Sequence, residues 1–233
     1  MDIIMIPGLW LDGSSWSAVT PPLEQAGHRV RALTPPGMES KDADRSGIGL
    51  RDHVDYVVAA IDEADEPVVL VGHSAGGAIA QQAADARPDR VARVVYVDAA
   101  PMPPDSVIND DIPADGGELP LPDWGFFEDE DLTDLDDELR RHFRERSIPS
   151  PKAVAYERGE LTDERRLEVP STIICCQFPS KLIAEWIDQG APFVAEIARM
   201  RRVDYVDLPT GHWPQFTKPT ELGEALLDAV GRG

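Results

Sequence analysis

The stretch "PVVLVGHSAGGAIAQQAA", residues 67–84, constrains the fold of this chain more than any other. Val68–Val71 is an apolar, valine-rich run with the composition of a buried strand. Ala75–Ala86 is rich in helix formers and stops before Pro88, which predicts a helix there. Only Gly72, His73 and Ser74 separate the two. A strand that becomes a helix over so few residues must bend sharply, and glycines at 72 and 76 leave room for the two elements to approach. A serine at the bend puts its Oγ at the carboxyl end of the strand. Free N–H groups and the positive end of the helix dipole gather at that point. The pattern G-x-S-x-G arises by chance in a chain of this length with odds on the order of one in ten. The strand–turn–helix setting is what gives it weight. The plainer alternative is a serine that only caps the helix.

Six segments read as strands: Asp2–Ile6, Arg29–Leu33, Val68–Val71, Ala92–Val97, Ser171–Cys176 and Asp204–Leu208. Several are dominated by Val, Ile and Leu with little alternation, as in parallel strands buried on both faces. Helical patterns fall between them. Leu50–Asp62 sets Val54, Val57, Val58 and Ile61 on one face, and Pro219–Val230 offers Leu222, Leu226 and Leu227. This alternation predicts a single α/β domain over residues 1–233, a three-layer sandwich with a mostly parallel six-stranded sheet and right-handed crossovers. Residues 101–169 break the rhythm. They begin rich in Pro, Gly and Asp, and then offer an amphipathic helix in "DLTDLDDELRRHFRERS" with Leu135, Leu139 and Phe143 on one side. An insertion this long between the fourth and fifth strands reads as a lid over a site. A decorative insertion or an oligomer contact is the alternative.

Composition narrows the surroundings. A net charge of −21 repels nucleic acid and anionic membranes. No apolar run reaches the roughly 18 residues of a membrane span, and "MDIIMIPG" reads as a first strand rather than a secretory signal. The only cysteines, Cys175 and Cys176, are neighbours that a strand would point to opposite faces. They form no disulfide framework and no metal site, and they suit a reducing, cytoplasmic compartment. From Asp105 to Leu139 there are fourteen acidic residues and no Lys or Arg. This reads as a solvated acidic face, with a cation-binding patch or a salt-adapted surface as alternatives.

A serine hydroxyl needs a base before it acts as a nucleophile at neutral pH. Of the five histidines, His28 sits in a turn, His53 on a helix and His142 in the insertion, while His73 points away from Ser74 by strand alternation. His212, in "VDYVDLPTGHWPQFTKP", follows the last strand at the same carboxyl edge as Ser74 and is the candidate base. The oxyanion of a tetrahedral intermediate needs two backbone donors. The amide of Ala75 at the helix start is one. The amide of Leu9, after Pro7-Gly8 in "MIPGLWLDGSSW", is the other by position. Trp10, Trp213, Trp124, Phe126 and Phe127 are the candidate substrate-binding residues of an apolar pocket. The aromatics of the insertion serve equally well as its own core.

Together "IPGLW", "AGHRVRALTPPGM", "VGHSAGG", "VVYVDAAPMP" and "PTGHWPQFTKP" resemble the α/β-hydrolase superfamily over almost the whole chain. The likeness is to the compact, lidded branch that includes small bacterial esterases, plant methyl esterases and hydroxynitrile lyases. It implies a sheet in the order 2-1-3-4-5-6, without the fold's usual first two strands. Two departures stand out. Pro7 replaces the usual histidine of the oxyanion segment, which spares the backbone donor. The triad acid of the family usually follows the fifth strand counted here, yet "CCQFPSKLI" offers no carboxylate. Some members carry the acid after the fourth strand, which makes Asp98 the implied third member of the triad. A structural role for Asp98, or a triad completed by water or Ser180, is the alternative; Asp207 lies too close to His212 in sequence to orient it well.

The expected activity is that of a serine hydrolase acting on a small carboxylic ester or thioester, with no metal or organic cofactor. A hydroxynitrile-lyase-like reaction is the second reading, for which Lys181 and Lys218 are the only nearby lysines. A non-catalytic small-molecule receptor is the third.

Overall fold

The computed structural model describes residues 1–232. Its frame is one sheet of six strands, β1 (Asp2–Ile6), β2 (Arg29–Ala32), β3 (Val68–His73), β4 (Val91–Val97), β5 (Ser171–Cys175) and β6 (Val203–Asp207). They lie in the order β2-β1-β3-β4-β5-β6, and every pairing is parallel. The α/β class, the six strands and their order agree with the sequence reading. Strand β3 runs on to His73, past the predicted end at Val71, because pairing with β4 continues through Gly72–Tyr96 and His73–Val97. The bend at Ser74 therefore follows directly on a paired strand.

Side-chain alternation splits the core in two. Ile4, Ile6, Leu70, Val94, Tyr96, Ile173 and Cys175 face helices α1 (Leu50–Asp62) and α2 (Ala75–Ala86), which pack on them with Val54, Val57, Ile61, Ile79 and Ala83. Ile3, Met5, Val69, Val71, Val95, Val97, Ile174 and Cys176 face the other way, against Trp16, Leu23 and the last helix, Pro219–Val230, through Leu222 and Leu226. Each fully buried Leu, Ile or Val contributes roughly 1.5–3 kcal/mol over an exposed one. The two neighbouring cysteines thus lie one in each core, both as free thiols.

Between β4 and β5 the chain leaves the sheet. It forms helix α3 (Asp137–Arg146), a short helix at Lys152–Tyr156, and a two-residue antiparallel ladder of Glu118–Leu119 with Ser150–Pro151. Asp136 caps α3 by accepting the Leu139 amide at 2.9 Å. Leu135 therefore packs from the preceding turn, while Phe143 on the helix is buried. The far end of this region is fastened by a buried ion cluster. Arg166 meets Glu196 at 2.7 Å and Asp85 at 3.3 Å, all three side chains being at most 6% exposed. Among the described residues no helix is long and apolar enough to cross a membrane.

Candidate active site

Ser74 adopts φ 51° and ψ −123°, a strained backbone for a residue with a side chain. The surrounding glycines show why the bend requires them. A Cβ on Gly76 would lie 2.6 Å from the Pro7 carbonyl and press on that of Ile6; one on Gly72 would lie 2.7 Å from the Gly77 Cα. The end of β1 is thereby brought against the start of α2. The Ser74 amide donates to the Val97 carbonyl at 3.2 Å and its own carbonyl accepts the Gly77 amide at 2.8 Å, which pins the elbow to β4 and to the helix.

Three side chains from distant parts of the chain meet here. His212 Nε2 lies 2.8 Å from Ser74 Oγ. His212 Nδ1 lies 2.6 Å from Asp98 Oδ2. Asp98 follows directly on β4, with φ 42°, and its amide donates to the Ile174 carbonyl of the neighbouring strand at 3.0 Å. Its second oxygen, Oδ1, accepts the Cys176 amide at 3.2 Å and the Gln177 amide at 3.1 Å. The carboxylate is therefore held from both sides and only 7% exposed. An acceptor-only carboxylate at Nδ1 fixes the ring as the Nδ1–H tautomer and leaves the Nε2 lone pair facing the serine hydroxyl. Burial lowers the proton affinity of His212, but the hydrogen bond and charge of Asp98, with a smaller contribution from Asp131, outweigh it and leave the pKa above the ordinary value.

His73, beside Ser74 in sequence, is buried and serves the backbone. Its Nε2–H donates to the His212 carbonyl at 2.7 Å, and its Nδ1 accepts from Gln215 Nε2 at 3.1 Å. Burial and the nearby His212 ring push its pKa down to about 3, so it stays neutral. Ser180 and Asp207 are tied to each other. Asp207 accepts from the Ser180 amide at 2.6 Å and from Ser180 Oγ at 2.8 Å, capping helix α4 (Ser180–Asp188). Neither reaches the His212 ring. Gln177 does: its Oε1 lies 3.1 Å from His212 Nδ1, although sequence reasoning set it aside for lacking a carboxylate.

The two proposed oxyanion donors flank the serine. Ala75 begins α2, where a first-turn N–H has no intrahelical partner. Leu9 follows Gly8, whose Cβ, if present, would lie 3.1 Å from the Ser74 Cβ. Trp10 takes a left-handed φ of 66°. Its amide donates to Ser150 Oγ at 2.8 Å and its carbonyl accepts the Ile148 amide at 2.9 Å, so residues of the insertion hold this loop.

The aromatic candidates form one cluster beside the histidine. Phe127 sits edge-on between Trp10 and Trp213, at centroid distances of 5.9 and 5.2 Å, and Trp124 packs on both Phe127 and Trp213. Trp213 meets the His212 ring edge-on at 5.1 Å. Trp10 and Trp213 are buried, while Phe126 lies at the outer edge, 39% exposed. Asp98 and Gln177 also border an apolar cavity of about 370 Å³ walled by Ile173, Cys175, Ile183, Trp186 and Ile197. Lys181 is exposed beside Glu185, and Lys218 donates to the Pro209 carbonyl; neither bonds to Ser74, His212 or Asp98.

A family model described as "Alpha/beta hydrolase family" matches residues 3–225. The chain is 28% identical over 253 residues to a pyrethroid hydrolase of Sphingobium wenxiniae, an alignment covering 97% of this chain and 86% of that protein. It is 37% identical over 203 residues to the lipase LipV of Mycobacterium tuberculosis, covering 77% of this chain and 75% of the other. Among solved structures, an extracellular alpha/beta-hydrolase from a Paenibacillus species superposes with a TM-score of 0.77 at 18% identity, over 98% of each chain.

Proposed function

The chain belongs to the alpha/beta hydrolase family, and we propose that it is a serine esterase that cleaves a small carboxylic ester through an acyl-enzyme. The observation that carries this reading is the run of contacts from Ser74 Oγ to His212 Nε2 at 2.8 Å and from Nδ1 to Asp98 Oδ2 at 2.6 Å. The relatives named above are a pyrethroid hydrolase and a lipase, which favours ester chemistry.

In the proposed cycle Ser74 Oγ attacks the ester carbonyl as His212 Nε2 takes its proton. Asp98 stabilises the imidazolium that forms and keeps Nδ1 protonated throughout. The carbonyl oxygen becomes an oxyanion between the Leu9 and Ala75 amides, each such donor being worth about 3 kcal/mol to the transition state. Collapse breaks the bond to the alkoxy group, which takes the proton from His212 Nε2 and leaves as the alcohol. Water then attacks the acyl-serine by the same route, giving the acid and restoring Ser74. Residues 101–169 act as a lid in this reading, with Trp124 and Phe127 packed on Trp213 beside His212. Two buried thiols favour a reducing, cytoplasmic setting.

The test is turnover of p-nitrophenyl butyrate together with labelling by a fluorophosphonate. The wild-type protein should hydrolyse the ester and label stoichiometrically, and Ser74→Ala should do neither. Ester turnover that survives Ser74→Ala, or a wild-type protein that neither labels nor turns over, would sink the esterase reading.

A further inference from the structure

We propose that Asp131 and Gln177 are a positioning pair through which the insertion orients the histidine of the site. The proposal rests on the serine-esterase reading for its kinetic consequences, but its geometry stands on its own. Of the fourteen acidic residues from Asp105 to Leu139, all are exposed except Glu118, which pairs with Arg45, and Asp131. Asp131 Oδ1 accepts from Gln177 Nε2 at 2.5 Å, and Oδ2 accepts the Glu128 amide at 2.9 Å. Its backbone carbonyl accepts the His212 amide at 2.8 Å, while the Thr133 carbonyl accepts the Gly211 amide at 3.0 Å. Gly211 is needed for this approach, since a Cβ there would lie 2.6 Å from the Thr133 carbonyl and run into that of Asp131.

The polarity of the pair follows from donor and acceptor identities. A carboxylate only accepts, so the Gln177 NH₂ must face Asp131 and its Oε1 must face the ring. The Nδ1–H of His212 then meets two acceptors, Asp98 Oδ2 at 2.6 Å and Gln177 Oε1 at 3.1 Å. A flipped amide would turn a donor toward Nδ1–H and favour the opposite tautomer, whose Nε2–H cannot take the serine proton. Asp131 prevents that flip from a distance. It also holds the main chain of His212, so the base is correctly set only while residues 128–133 are docked. The titratable groups facing the ring are Asp98 at the end of β4, Asp131 in the insertion and His73 at the end of β3; His73 stays neutral, and both aspartates raise the His212 pKa.

The experiment exchanges the polarity of the pair. Asp131→Asn frees the Gln177 amide to flip, and kcat should fall about tenfold with KM held within about twofold. The acid limb of kcat/KM should move to lower pH, because the lost negative charge had raised the His212 pKa. Gln177→Leu, which removes the ring contact without touching the Asp131 main chain, should lower kcat similarly and serves if Asp131→Asn does not fold. The double variant Asp131→Asn with Gln177→Glu restores an acceptor at Nδ1, now held by an asparagine NH₂, and should recover most of kcat. In proteins labelled with ¹⁵N-histidine, the low-field His212 Nδ1 proton should shift in Asp131→Asn and return in the double variant. An unchanged kcat, acid limb and Nδ1 proton in Asp131→Asn would overturn the proposal, as would a double variant no better than the single one. If the wild-type protein shows no Ser74-dependent turnover, the esterase reading falls, and the Nδ1 proton alone decides the pairing.

Discussion

Asp98→Asn separates a carboxylate that orients the base from one that merely fills space. The structure dictates how the substituted amide must sit. Asp98 Oδ1 accepts two backbone amides, those of Cys176 and Gln177, at 3.2 and 3.1 Å. The asparagine of the variant keeps both only if its side-chain oxygen takes that position. Its NH₂ then lies where Oδ2 was, 2.6 Å from His212 Nδ1. Two N–H groups cannot face each other there, so the ring is driven to the Nε2–H tautomer and can no longer accept the Ser74 proton. In the serine-protease template this error costs about four powers of ten in kcat, roughly 5.5 kcal/mol. Gln177 Oε1 still offers Nδ1–H an acceptor at 3.1 Å and opposes part of the tautomer change. The expected loss is therefore smaller, about a thousandfold or roughly 4 kcal/mol. The measurement is kcat on p-nitrophenyl butyrate at pH 8, with active sites counted by fluorophosphonate and folding checked by urea unfolding. Ser180→Ala is the matched control, because Ser180 bonds only around Asp207, and it should stay within about twofold of wild type. A folded Asp98→Asn protein with kcat within tenfold of wild type would refute the reasoning and remove Asp98 from the machinery.

Gly76→Ala forces a Cβ to within 2.6 Å of the Pro7 carbonyl, and β1 must retreat from α2; urea unfolding should show a loss of at least about 2 kcal/mol. His73 is held neutral by burial with a pKa of about 3. The unfolded chain alone then gains a proton below about pH 6.5, and stability falls with acidification through that window. Relative to His73→Leu, wild-type unfolding free energy should drop by about 1.4 kcal/mol per pH unit between roughly pH 6 and 4, as read from urea titrations across pH. Arg166→Met leaves Glu196 to Arg199 alone and Asp85 to the Thr162 and Asp163 N–H groups, and should cost about 3 kcal/mol by the same titrations. Burial pushes the Cys175 thiol up to about 12 and raises Cys176 as well, so a thiol reagent at pH 8 should modify neither until urea unfolds the protein.

The frame was legible because its signals are local. A parallel strand buried on both faces is a short apolar run, as in β1, β3, β4 and β5, whereas the edge strands β2 (RVRA) and β6 (VDYVD) are less covered and mix in charged residues. The elbow was legible for the same reason: its strand, glycines and helix are contiguous. Strand ends were less so, since β3 is extended to His73 by its pairing with β4, a partner some twenty residues away. The start of α3 at Asp137 depended on which aspartate in an acidic run would cap it, and composition does not distinguish Asp136 from its neighbours. Asp98 was reachable by elimination and resemblance; its contact with His212 spans 114 residues.

The sequence by itself determined the layered α/β class and singled out Ser74 and His212, the proposed nucleophile and base, because each is written in a contiguous run whose backbone chemistry admits few readings. Which groups surround the His212 ring, beyond the Asp98 that resemblance implied, was decided only by tertiary structure. Asp98, Gln177 and Asp131 come from three separate segments, and no periodicity or motif links them. Asp131 looks like any other member of an acidic surface until the fold turns its carboxylate inward. Hydrogen bonds act over about 3 Å, so a role made of such contacts exists only once the chain has brought its distant parts together.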